Sequence, residues 1–147
     1  MPHVRQLIRD AVVAALVNLP TTGNRVFKSR VYPLDEDALP GLLVFSKSED
    51  AEADTISPPR SQTRQLAMMV EAYAKLNAGF DDKIDTICAE AEQAIGSDPT
   101  LGGTVKDIRL LSTEIAVTGS GEKPVAVATL TFQALYRTKE NNPTIHI

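Results

Sequence analysis

Hydrophobic and polar positions recur along this chain with two different periods, and the switches between them mark out its elements. Over residues 3 to 18, Val4, Leu7, Ile8, Ala11, Val12, Ala15 and Leu16 follow the helical period while Arg5, Arg9 and Asp10 fall elsewhere, which predicts an amphipathic helix. Pro20, Thr21, Thr22 and Gly23 stop it. Residues 25 to 32 predict a short strand ended by Pro33, and LDEDALPG reads as a polar turn. Leu42 to Ser46 is a compact apolar run that predicts a strand. From Gln65 to Lys75 the period falls to two: Leu66, Met68, Val70, Ala72 and Ala74 share one face, and Glu71 and Tyr73 lie on the other.

The helical period returns over residues 81 to 95, where Ile84, Ile87, Cys88, Ala91 and Ile95 form an apolar stripe. Asp81 and Asp82 stand at the positive end of that helix, where acids are favoured. GSDPTLGG turns the chain into a long strand over about residues 106 to 117, and TGSGEKP turns it back. On the return strand Ala126, Ala128, Leu130, Phe132, Ala134 and Tyr136 face one way. Val125, Val127, Thr129, Thr131, Gln133 and Arg137 face the other, with Leu135 as the exception. Residues 106 to 138 thus predict a long β-hairpin with one apolar and one mixed face. That is the pattern of an antiparallel sheet with helices on one side. The expected fold class is α+β: an antiparallel or mixed sheet of about four to five strands with two amphipathic helices packed on one face. KENNPTIHI, residues 139 to 147, carries no periodicity and is expected to be a flexible tail.

One stretch resists this reading. EDAEADTISPPRSQ, residues 49 to 62, puts Glu49, Asp50, Glu52 and Asp54 within six positions and closes on Pro58, Pro59 and Arg60. It could be a linker, an acidic metal site, or a loop ordered from outside. A linker would orphan the strands on either side of it, and no internal repeat divides the chain. The expectation is a single domain over residues 1–147 with residues 49–62 as a mobile acidic loop.

Composition narrows the possibilities. The chain has 147 residues, 43% hydrophobic and 23% charged, enough for one core and unlike a disordered polymer. A net charge of −4 argues against a nucleic-acid grip, which needs clustered Lys and Arg. A single cysteine, Cys88, allows no internal disulfide and fits a reducing compartment. AVVAALV is far too short to span a membrane. Asp10 and the lack of a cleavage site argue against a signal peptide, so the expected site of synthesis and assembly is the cytoplasm.

Familiar chemistry finds little support. Asp35, Glu36 and Asp37, like the group at residues 49 to 54, lack the spacing and glycine of a rigid cation loop, so no metal is expected. His3 and His146 lie near the ends, where a general base is poorly held. Cys88 sits on an apolar helix stripe without a neighbouring cation, as a core thiol does. Gly102-Gly103 and Gly119-Ser120-Gly121 precede strands, whereas a phosphate loop precedes a helix. Met68 and Met69 read as one core and one outward side chain. No catalytic residue, cofactor or enzymatic activity is expected.

The segments RVYPLDEDALPGLLVFS, DPTLGGTVKDIRLLSTEI and PVAVATLTFQALYRT follow an amphipathic first helix in that order. In this the chain resembles the tail terminator proteins of long-tailed phages and prophages, the minor tail protein U type, over roughly residues 3 to 140. The YPL turn with its acids and LP, and the YRT closing the last long strand, carry most of the likeness. The resemblance implies a small α/β protein forming a ring, commonly a hexamer. Such a ring caps the tail tube, stops polymerisation of the tube protein and presents a surface to the head-side connector, at the head-proximal end of the virion tail. It implies no enzyme and no cofactor.

Segregated charge is compatible with a ring, whose contacts join two different patches. Acids crowd residues 35 to 54, and Arg25, Lys28, Arg30, Arg60 and Arg64 supply bases. The interface residues expected from charge are Glu49, Asp50, Glu52, Asp54, Arg60 and Arg64. An acidic balance also discourages passing DNA from adhering to a channel. Three rival readings remain at this level: a neck or head–tail completion protein, a small enzyme using Asp35, Asp37 or Asp50, and a monomeric binding module.

Overall fold

The computed structural model describes residues 1–28, 36–118 and 124–147. Helix α1, Val4–Leu16, buries Val4, Ile8, Val12 and Leu16, a stripe spaced by four. The ring nitrogen Nδ1 of His3 accepts from the Arg5 amide at 3.1 Å and caps the first turn. After β1, Val26–Lys28, and a 3-10 turn at Glu36–Ala38, two long strands follow, β2 (Gly41–Ala53) and β3 (Ser61–Lys75). Helix α2, Phe80–Gly96, begins after Gly79, whose φ of +82° is a conformation that favours glycine. It buries Ile84, Ile87, Cys88, Ala91 and Ile95, the stripe read from the sequence. Strands β4 (Asp107–Thr118), β5 (Val125–Lys139) and β6 (Asn142–His146) complete the chain.

The six strands of the described residues form one sheet in the order β1-β2-β3-β5-β4, with β6 pairing β5. Among the described residues only β1 and β2 run parallel; the other pairs are antiparallel, so the sheet is mixed. The fold is α+β with both helices against the sheet, as the patterning predicts. β3 and β5 pair along their full length, Ser61 opposite Lys139 and Lys75 opposite Val125. This register aligns Leu66, Met68, Val70, Ala72 and Ala74 with Ala134, Phe132, Leu130, Ala128 and Ala126, and all ten are buried. Together with the helix stripes they make the main core. Each large aliphatic side chain buried there contributes about 1.5–3 kcal/mol. A second, smaller cluster sits on the opposite face, where Ala38 and Leu39 cover Leu43, Tyr73 and Val127. The Glu90 carboxylate accepts from the Thr21 amide and hydroxyl at 2.9 and 2.7 Å, tying the turn after α1 to α2.

Two segments depart from the sequence reading. Residues 49–62 are not one loop: Glu49 to Ala53 continue β2, Ser61 and Gln62 open β3, and only 54–60 form the tip. Acids do not oppose extension here, because alternate side chains leave on opposite faces and the backbone pairs with β3. Residues 139–147 are not a free tail either. β4 starts opposite Leu135, which leaves the last stretch of the same β5 edge open, and β6 folds back onto it. The Ile147 amide donates to the Arg137 carbonyl at 2.9 Å. This sixth strand exceeds the four to five expected. The strand expected over 25–32 is described as far as Lys28. Residues 29–35, with Arg30, Pro33 and Asp35, and residues 119–123, with Gly119, Ser120 and Gly121, lie outside the described residues.

Candidate interaction surface on the β2–β3 hairpin

A bulge between Ser46 and Ser48 shifts the β2 register by one position. It places Glu49 opposite Leu66, on the helix side of the sheet, and leaves Asp50 and Glu52 on the helix-free side. The two halves of the acidic run therefore have different surroundings.

Glu49 is turned inward. One carboxylate oxygen accepts from Arg5 Nη1 at 2.7 Å and Arg64 Nη1 at 3.0 Å, and the other accepts from the Tyr136 hydroxyl. The side chains of Glu49 and Arg64 are only 9% and 11% exposed, while that of Arg5 is 41% exposed. Arg64 also donates to Thr138 Oγ1 at 3.1 Å and Gln62 Oε1 at 3.2 Å, and its guanidinium lies 5.9 Å from the centre of the Tyr136 ring. Burial and the bond to Glu49 push the Tyr136 hydroxyl well above its ordinary pKa. The cluster joins α1, β2, β3 and β5, so it braces the base of the hairpin.

His3 stands beside this cluster. Nδ1 accepts from the Arg5 amide, so the neutral ring carries its proton on Nε2, which lies 3.4 Å from Arg64 Nη1. Burial holds the His3 pKa below its ordinary value, and the charges of Arg5 and Arg64 add to this against the opposing pull of Glu49.

Further out, Asp54 accepts two bonds from Arg137, at 2.8 and 3.1 Å, and one from Thr63 at 2.7 Å. The Arg137 bonds, then that of Thr63, hold the Asp54 carboxyl below its usual range. Arg60 pairs with Glu140 at 3.5 Å. Asp50 and Glu52 are exposed and have no ion-pair partner among the described residues. They look out on a polar stretch of uncovered sheet with Thr63, Gln65 and Gln133. There Gln133 donates to Gln65 at 3.3 Å and accepts from Arg109 at 3.2 Å.

Of the six residues expected at an interface, Glu49 and Arg64 are thus internal and meet each other. Asp54 and Arg60 are paired at the tip, and Asp50 and Glu52 alone point free into solvent. Sequence reading missed Arg5, Tyr136, Thr138, Arg137 and Glu140. It placed His3 at a poorly held end, where the structure gives it a capping role.

A groove of about 310 Å³ between α1 and the β2 bulge is lined by Arg5, Ser46, Lys47, Ser48, Glu49 and Leu66. Its carboxylate is engaged by donors on both oxygens. Among the described residues no group of three or more His, Cys, Asp or Glu side chains could hold a metal ion. Cys88 is buried, and its thiol is pushed up to about 11 by burial. Met68 is in the main core, and Met69 is buried on the opposite face, where its sulfur accepts from Thr131 at 3.6 Å. No helix among the described residues is long and apolar enough to cross a membrane.

A scan against protein-family models finds no match, and no curated protein sequence matches the chain. Among solved structures, a chain described as "Virion of native gene transfer agent (GTA) particle" aligns over 90% of both chains, at 19% identity and a TM-score of 0.40. At that score the overlap is loose.

Proposed function

We propose that this chain is a structural assembly protein of phage-like particles, a tail terminator. In this reading it forms a ring, a hexamer by the sequence resemblance, on the end of the tail tube. The ring stops tube polymerisation and presents its other face to the head-side connector. It acts by shape and surface contact, without catalysis or cofactor, at the head-proximal end of the tail.

The observation that carries the reading is the division of the acidic run. Glu49 braces a long hairpin, Asp54 is paired at its tip, and Asp50 and Glu52 stand free on an uncovered polar sheet face. A braced arm with free charges suits docking against a repeated filament end, because little ordering entropy remains to oppose binding. Acids there also repel DNA passing along a channel. The test is Asp50→Lys with Glu52→Lys. These exposed substitutions should leave the thermal transition unchanged and abolish control of tube length when the variant is mixed with the tube protein of the same genome. Normal termination by the folded variant would remove the hairpin from the docking role.

A further inference from the structure

The sheet ends at β4, and among the described residues nothing pairs with the outer edge of that strand. Residues 111–117 are all exposed, with Leu111 at 50% and Ile115 and Val117 at 53% each. Natural edge strands are guarded by charged side chains, proline, a bulge, short length or a cover. β4 has twelve residues, with no lysine or proline and no cover among the described residues; it carries one bulge and the charges of Asp107, Arg109 and Glu114, and its row of backbone donors and acceptors lies open beside apolar side chains.

We propose that this edge pairs with β4 of a second copy of the chain, antiparallel and about a two-fold axis between Leu111 and Ser112. The argument is self-complementarity. A bulge between Leu110 and Ser112 inverts the alternation of faces. Ile108 and Leu110 lie on the helix side before it, and Thr113, Ile115 and Val117 lie there after it. Two copies can therefore align faces across the bulge only in registers that join even positions before it to odd positions after it, and the reverse. One such register sets Arg109 against Glu114 of the second copy, both on the helix-free side and both exposed. The same register sets Ile108 against Ile115 and Leu110 against Thr113 on the helix side. By symmetry each pair occurs twice, giving two opposite-charge pairs and two isoleucine pairs in one continuous sheet. Such a contact closes at two copies. A ring needs a different patch, so this inference stands apart from the terminator reading and concerns the protein alone.

The test is the size of the purified full-length chain by light scattering and sedimentation across concentration, with circular dichroism to confirm folding. The wild type should dimerise. Arg109→Glu or Glu114→Arg alone sets like charges opposite each other twice and should weaken the dimer about ten-fold or more, and the two together should restore it. Amide exchange in residues 107–118 should slow as the dimer fills. A chain that stays monomeric at millimolar concentration, or a dimer indifferent to the single reversals, would overturn the pairing. So would a double reversal that fails to rescue.

Discussion

Replacing Glu49 by leucine tests whether the inner half of the acidic run holds the hairpin to the body. The substitution leaves Arg64 with a buried guanidinium that has lost its counter-charge, and Tyr136 with a buried hydroxyl that has lost its acceptor. Breaking a buried ion pair from one side costs about 3–5 kcal/mol. Arg64 keeps its bonds to Thr138 and Gln62, and Arg5 is exposed enough to return to water, so the lower end applies, about 3 kcal/mol. With a urea slope of about 2 kcal/mol per molar, the unfolding midpoint should fall by about 1.5 M. Glu49→Leu with Arg64→Leu removes both charges and should recover about half of that loss or more, since the site borders Leu66 and can take apolar groups. Urea unfolding followed by circular dichroism reads Glu49→Leu, Arg64→Leu and the double variant. A single-variant shift under about 0.3 M, or a double variant whose loss is the sum of its parts, would refute the brace.

Leu130 lies fully buried on the central strand, and Leu130→Ala should cost about 2–5 kcal/mol in the same assay. The lowered His3 pKa means that the unfolded chain takes up this proton first as pH falls. The His3 contribution to stability is therefore present above 6.5 and is lost as pH drops through that value toward the folded pKa. His3→Asn keeps a capping side chain and should flatten this part of a melting-temperature profile against pH; an unchanged slope would assign it to another group. By NMR titration, Asp54 should ionise below ordinary aspartates and move up toward their range in Arg137→Gln, where the Thr63 bond remains, and an unmoved Asp54 would discount the pair. The Cys88 thiol should stay unmodified by a disulfide reagent in the native protein at neutral pH and react on unfolding; rapid native reaction would contradict its burial.

Elements whose signal lies within ten or so residues were legible in the sequence. The α2 stripe and the two faces of β5 fall where the periods put them, because a core face imposes its spacing locally. The β2–β3 hairpin was misread because charge dominated the reading of residues 49 to 54. The informative detail was the alternation of Glu49, Ala51 and Ala53 with Asp50 and Glu52, which is a strand pattern. The cluster around Glu49 could not be read at all: Arg5 is 44 residues away and Tyr136 is 87. The register of β2, β3 and β5 and the packing of α1 against the sheet bring them together. β6 was hidden for a related reason, since an edge strand with one partner needs no apolar period, and the space it fills is set by where β4 begins.

The central claim, that the chain works as a cap on a filament, is tested most directly by imaging. Tube protein from the same genome is polymerised with and without this chain, and the tubes are examined by electron microscopy. The account predicts shorter tubes of narrower length distribution, with a ring of added density at one end only. Tubes of unchanged length with bare ends, and the chain left wholly in the unbound fraction, would contradict it.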